Sequence, residues 1–255
     1  MNIINTFRRA KKLVSTDKLL FYAPLDNANG KDATVNKLGS LTPTSVGSGY
    51  IAGAYVLDTY AGNEYADLTY EFDTTLLSTL GYGDNVVIGL WTRVSPNAMR
   101  NMLSDFIIKK DSSSYAEASH NDTYPYGMYI PWYTQGYSSV GLGFFTSTEL
   151  RTGEYHFIMF KMTTTELQQF SCGRFLGDNS GNIISNVDMT LSSSDATRGW
   201  KFNTLSIGIT TASASPPVGI ASHGRAHLQV WSDLTTAEMQ AVYENEVPPK
   251  PLPST

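Results

Sequence analysis

The chain has 255 residues, 41% of them hydrophobic, 12% aromatic and only 16% charged, with a net charge of −5. That balance excludes a disordered chain and speaks against sequence-independent nucleic-acid binding, which needs many Lys and Arg on phosphates. A lone Cys172 excludes an intramolecular disulfide, and no stretch approaches the ~20 apolar residues of a transmembrane helix, so membrane insertion is not expected.

The first elements differ in charge from the rest. Residues 1 to 20 carry Arg8, Arg9, Lys11, Lys12 and Lys18 against Asp17, a local +4 that leaves −9 for the remainder. Ile3, Ile4, Phe7, Ala10 and Val14 recur near helical spacing, with Arg8, Arg9, Lys11 and Lys12 mainly off that stripe. Residues 1–18 therefore read as a basic amphipathic arm, either packed on the body or docking it to a partner. No apolar segment ahead of a cleavage site marks this end as an export signal.

From Leu19 the period changes to that of strands, with turn signals about every ten residues, the rhythm of a sandwich or barrel. The strands expected are Leu19–Ala23, Ala54–Leu57, Tyr65–Leu68, Val86–Val94, Phe106–Lys109, Gly127–Ile130, Gly141–Phe145, Glu154–Met162, Leu167–Cys172, Leu205–Ile209 and Arg225–Trp231. In the last of these, strict alternation puts Ala226, Leu228 and Val230 on one face and His227, Gln229 and Trp231 on the other. Thr235 and Glu238 then form a capping-box pattern, with Leu234 and Met239 placed as a hydrophobic staple, so a helix should run to Tyr243 or Glu244. Pro248, Pro249, Pro251 and Pro253 enforce an extended tail over residues 247–255.

The order of these features resembles the concanavalin A-like superfamily, and within it the laminin G-like modules. Leu19-Leu20-Phe21-Tyr22-Ala23-Pro24-Leu25-Asp26 is similar to their first strand, and Tyr50-Ile51-Ala52-Gly53-Ala54-Tyr55-Val56-Leu57-Asp58 to the second element. Val86-Val87-Ile88-Gly89-Leu90-Trp91 and Glu154-Tyr155-His156-Phe157-Ile158-Met159-Phe160 resemble central strands, and Gly224-Arg225-Ala226-His227-Leu228-Gln229-Val230-Trp231 with the following helix resembles the close. The resemblance spans residues 19–246. It implies an all-β fold: a jelly-roll sandwich of two antiparallel sheets, with a short N-terminal helical arm and a short C-terminal helix, and Trp91 and Phe157 packed on the sheets.

Fold alone does not give function, so each chemical candidate is weighed on its residues. Retaining glycosidases of the superfamily need paired carboxylates, but in Glu71-Phe72-Asp73-Thr74-Thr75-Leu76 a leucine stands where the second glutamate belongs. His223 and His227, four apart, lie on a strand, where ~13 Å separates such positions and no metal is shared. His120 and His156 have no recognisable partner in the sequence. No cofactor is expected; calcium is left open by the resemblance, with Asp26, Asp32 and Asp58 as ligand candidates against the simpler reading of turn aspartates. Residues 115–137 hold Tyr115, Tyr124, Tyr126, Tyr129, Trp132, Tyr133 and Tyr137. Of these, Tyr124, Tyr126, Tyr129, Trp132 and Tyr133 are the candidates for a glycan platform or a protein interface, with plain sheet packing as the alternative.

The combined expectation is a non-enzymatic virion structural protein of a bacteriophage: a capsid-decoration, head-fibre or tail-associated subunit assembled in the host cytoplasm. Ile3, Ile4, Phe7, Arg8, Arg9, Lys11 and Lys12 would dock it to other virion proteins, with self-association and a glycan as further partners. The alternative is a carbohydrate-binding module for host or polysaccharide recognition, and the third reading is a glycoside hydrolase.

Overall fold

A computed structural model of the chain describes residues 14–27, 29–39, 43–45, 49–51, 53–57, 68–72, 86–93, 103–111, 114–120, 126–130, 140–145, 153–162, 167–171, 174–176, 204–209 and 223–249. They form antiparallel strands and one α-helix. In chain order these are β1 (Leu19–Ala23), β2 (Val35–Asn36), β3 (Thr44–Ser45), β4 (Gly49–Ile51), β5 (Ala54–Leu57), β6 (Leu68–Glu71), β7 (Val86–Arg93) and β8 (Leu103–Asp111). There follow β9 (Ser114–His120), β10 (Tyr126–Ile130), β11 (Val140–Phe145), β12 (Tyr155–Met162), β13 (Leu167–Ser171), β14 (Arg174–Leu176), β15 (Thr204–Ile209), β16 (His223–Ser232) and α1 (Thr236–Asn245). The all-β expectation holds to that extent. Of the strand expected at Tyr65–Leu68, only Leu68, the first residue of β6, is among the described residues; residues 58–67 lie outside them.

Two sheets result among the described residues. One has the order β14-β13-β12-β7-β16-β1-β2, with β5 also paired to β16 and β4 to β5; the other runs β11-β10-β9-β8-β15-β6-β3. Their contact is aromatic. Phe21 of the first sheet meets Tyr70 of the second edge-on at 4.9 Å between ring centroids, and Phe72 at 5.5 Å. Around them Ala23, Ile88, Leu90, Ile158, Phe160, Leu228 and Val230 are buried in the first sheet, as are Leu68, Leu205 and Ile207 in the second. Arg225 is fully buried too, its Nη1 donating to the carbonyl oxygens of Gly224 at 2.9 Å and Arg93 at 3.4 Å.

The opposite face of the first sheet is covered by α1. Val87, Trp91, Phe157, Met159, Ala226 and Trp231 form one apolar cluster with Leu234, Met239 and Val242. That explains why β7 is buried from Val86 to Thr92 without alternation: with a layer on each side, both faces of a central strand need apolar side chains. The helix starts as the sequence requires. Thr235 Oγ1 accepts the Glu238 backbone N–H, the Glu238 carboxylate accepts the Thr235 N–H, and the staple residues Leu234 and Met239 are both fully buried.

Residues 14–18 belong to this packing. Val14 lies against the helix-side cluster, Thr16–Lys18 form one 3-10 turn, and Lys18 Nζ donates to both Glu238 carboxylate oxygens at 2.8 Å and to the Asp233 carbonyl at 2.7 Å. The Lys18 hydrogen bond, followed by the Thr235 N–H, pulls the Glu238 carboxyl down to about 2. A carboxyl lowered in the folded state stabilises fully above its ordinary pKa of about 4.5, and that stabilisation is lost as pH falls through about 2. A quarter of the side chain is open to solvent, so screening reduces the contribution to about 1 kcal/mol. Accordingly, wild type should exceed E238Q by about 1 kcal/mol in urea unfolding at pH 6, and the two should converge near pH 2. A gap that persists at pH 2 would assign the effect to packing instead.

Candidate functional site

A break in the period of β16 builds the site. Ala226 faces Trp91 of β7, but the next matched pair is Gln229 with Gly89, so one extra residue is inserted at His227, whose φ is 53°. The strict alternation expected from the sequence therefore fails here: Ala226 joins Trp231 on the helix side, and Leu228 and Val230 keep the inter-sheet side. The His227 backbone N–H donates to the Pro24 carbonyl at 2.8 Å, joining the bulge to the loop after β1.

That loop is itself constrained. Leu25 is fully buried at φ 56°, the left-handed region that costs a non-glycine residue about 1–3 kcal/mol. Asn27 Oδ1 accepts the backbone N–H groups of Asn29 and Gly30 at 2.9 and 3.1 Å, and Asn27 Nδ2 donates to Asp26 Oδ1 at 2.6 Å. A Cβ on Gly30 would collide with Asp26, so only glycine closes this turn. Two of the three described non-glycine residues at positive φ, Leu25 and His227, thus meet at one point. Strain retained in such a place is a reason to look for function there.

The first residue past α1 completes the arrangement. Glu246 Oε2 accepts Trp91 Nε1 and lies 2.9 Å from each of that nitrogen and His227 Nδ1, while its Oε1 accepts Gln229 Nε2 at 2.6 Å. Gln229 Oε1 in turn accepts Trp231 Nε1 at 2.8 Å. Tyr22 of β1, paired with Gln229 in the sheet register, sets its ring edge-on to His227 at 6.1 Å. Burial, then the charges of Glu246 and Asp26, push the Tyr22 hydroxyl up to about 12, so the phenol keeps its proton through the physiological range. The outcome is a half-exposed rim of Tyr22, Asp26, His227 and Glu246 on a rigid backing of Trp91 and Gln229.

A second row of the same sheet face carries a different constraint. Tyr155, Arg93 and Gly224 are aligned across β12, β7 and β16, and the Tyr155 ring lies over the Gly224 backbone, where a Cβ would overlap its hydroxyl and ring carbons. The buried Tyr155 hydroxyl has no hydrogen-bond partner among the described residues, and burial raises it to about 12 against the opposing pull of Arg93 and Arg225. We expect G224A to lose about 1–3 kcal/mol of unfolding free energy by overpacking. Y155F, which deletes only an unsatisfied buried hydroxyl, should be neutral or slightly stabilising by denaturant titration. Equal losses in both variants would contradict this geometry.

The sequence-nominated residues fall differently. Tyr126 and Tyr129 lie in β10, with Tyr126 in register with Phe145 and Tyr129 with Glu117 and Gly141, while Tyr124, Trp132 and Tyr133 lie outside the described residues. So do the arm residues Ile3, Ile4, Phe7, Arg8, Arg9, Lys11 and Lys12, together with Asp58, Asp73 and Leu76. Asp26 and Asp32 are exposed on their loop, and among the described residues no three His, Cys, Asp or Glu side chains assemble a group that could hold a metal ion. Among the described residues no helix is long and apolar enough to cross a membrane. His227 sits at the centre of the rim, held by its backbone bond to Pro24 and its ring contact with Glu246; Tyr22 and Glu246 carried no sequence signal beyond their residue type.

No protein-family model matches the sequence, and no curated protein matches it. Solved structures do resemble the chain. Domain 4 of AbnA, an extracellular GH43 arabinanase from Geobacillus stearothermophilus in complex with arabinotriose, matches with a TM-score of 0.54 at 12% identity, over 89% of this chain and 98% of that one. A botulinum neurotoxin type C structure, described for cell entry dependent upon interaction with two ganglioside molecules, gives 0.60 at 8% identity over 90% of this chain and 51% of its own. Trypanosoma rangeli sialidase in complex with sialic acid gives 0.57 at 8% identity over 91% of this chain and 33% of its own. The likeness is one of fold. The chain thus spans nearly all of the arabinanase domain, about half of the toxin chain and a third of the sialidase.

Proposed function

We propose that the chain is a non-catalytic glycan-recognition module on a concanavalin A-like, laminin G-like jelly-roll sandwich. The observation that carries this reading is that three proteins no more than 12% identical to the chain share its fold over 89–91% of its length, and each is described with a sugar ligand or receptor. The rim on the first sheet adds polar and aromatic groups of the kind that orient a small ligand. Glycan recognition is therefore preferred over virion assembly; the docking residues Ile3, Ile4, Phe7, Arg8, Arg9, Lys11 and Lys12 lie outside the described residues. Display on a bacteriophage particle assembled in a host cytoplasm is a setting we infer from the sequence alone. The non-catalytic part also rests on sequence, since Leu76 replaces the second carboxylate that a retaining glycosidase requires.

Screening the purified full chain on a glycan array, with calorimetry of each hit, tests the reading. A single glycan class should bind with Kd between about 1 μM and 1 mM, or roughly −8 to −4 kcal/mol, without release of reducing sugar. A flat array at saturating protein would overturn it.

A further inference from the structure

We propose that the rim of Tyr22, Asp26, His227 and Glu246 is the subsite of this module for an uncharged sugar, held through neighbouring hydroxyl groups; this rests on the glycan-recognition reading above. The groups there have hydrogen-bonding capacity that the fold does not use. His227 Nδ1 is engaged by Glu246, and a carboxylate only accepts, so Nδ1 carries the proton and Nε2 is left as an acceptor with no partner among the described residues. The Tyr22 hydroxyl likewise has no described partner and both donates and accepts, and Asp26 Oδ2 is a further acceptor beside Oδ1, which Asn27 engages. A sugar hydroxyl is donor and acceptor at once, so neighbouring hydroxyls match an imidazole nitrogen, a phenol and a carboxylate oxygen. The partly exposed Tyr22 and His227 rings offer apolar area beside those groups, the usual composition of a small-ligand site.

The rim is also set before any ligand arrives. His227 is fixed by its backbone bond to Pro24 and its ring bond to Glu246, Glu246 by Trp91 and Gln229, and Asp26 by the Asn27 turn. Little side-chain freedom is then lost on binding, which favours affinity from few contacts.

Charge selects the sugar class. Asp26 and Glu246 place two carboxylates at the rim, and the contact described between Glu246 and His227 is a hydrogen bond to a neutral ring in this tautomer. No described Lys or Arg pairs with either carboxylate. A carboxylated sugar such as sialic acid would bring a third negative charge into the same place, and like charges disfavour that complex.

Titration of the full chain, followed by calorimetry and by protein NMR, uses arabinotriose and cellotriose as neutral probes and sialyllactose as the anionic probe. We expect a neutral trisaccharide to bind at least 10-fold more tightly than sialyllactose, and Y22F and D26N each to weaken it at least 5-fold with Tm unchanged. Both substitutions are at partly or fully exposed side chains, so folding is not at stake. Neutral-sugar binding that both variants retain, or that is lost only on replacing Trp132 and Tyr133 by alanine, would overturn this subsite and leave the module reading standing. Tighter binding of sialyllactose would overturn the charge selection alone. No binding of any of the probes, together with a flat array, would overturn both readings.

Discussion

Replacing Phe21 by alanine should lower the unfolding free energy by about 3–5 kcal/mol, the usual cost of deleting a fully buried Phe ring. Phe21 is fully buried and is edge-on to both Tyr70 and Phe72, so its removal takes away the aromatic join between the sheets as well as its own burial. Tyr70 is itself held, its hydroxyl donating to the Lys31 carbonyl at 2.7 Å, which limits how far it can move to fill the void. A domain stable by only about 5–15 kcal/mol would lose a large share of that margin. Phe21→Leu, which keeps much of the volume, should cost less than half as much. The urea midpoint should shift with little change in slope, since the folded and unfolded surfaces stay similar. A loss below 1 kcal/mol for the alanine variant would mean that the sheets are held together elsewhere.

How much of this was legible in the sequence follows from how local each signal is. The central strand at Val86–Arg93 announces itself because burial on both faces demands an unbroken apolar run, and the capping box of α1 because its partners are three residues apart. The two-residue strands β2 and β3 were invisible, since so few residues carry no period, and β9 was missed because Ser114–His120 reads as polar and mixed. The bulge at His227 is harder still. Nothing in Gly224-Arg225-Ala226-His227-Leu228-Gln229 distinguishes it from an alternating strand, because the cause is remote: Pro24 takes the backbone N–H and Glu246 takes the ring. The rim was hidden for the same reason. Glu246 is separated from Trp91 by 155 residues and looked like the end of a helix before a proline tail. The tyrosine-rich segment, by contrast, was conspicuous by composition, which signals aromatic content but not where the side chains converge.

Removing the carboxylate of Glu246 should have the second largest effect, about 2–4 kcal/mol for E246A. Three donors lose their acceptor at once: Trp91 Nε1, His227 Nδ1 and Gln229 Nε2, at 2.9, 2.9 and 2.6 Å. Trp91 and Gln229 are 8% and 3% exposed, so water does not readily replace the lost partner, and an unsatisfied buried donor costs about 1–3 kcal/mol. The effects are less than additive, because the three donors share one carboxylate and can relax together. The C-cap of the helix is untouched, since its hydrogen bonds use the Glu246 backbone N–H to Tyr243 and Val242. E246Q separates charge from shape: the amide oxygen still accepts, but its NH2 group confronts a donor, so we expect about half the loss of E246A. Urea unfolding followed by tryptophan fluorescence reads both stability and the altered surroundings of the Trp91 indole. If E246A and E246Q were each within 0.5 kcal/mol of wild type, the carboxylate would not be what holds the bulge, and the rim would lack the rigid backing on which its proposed sugar selectivity depends.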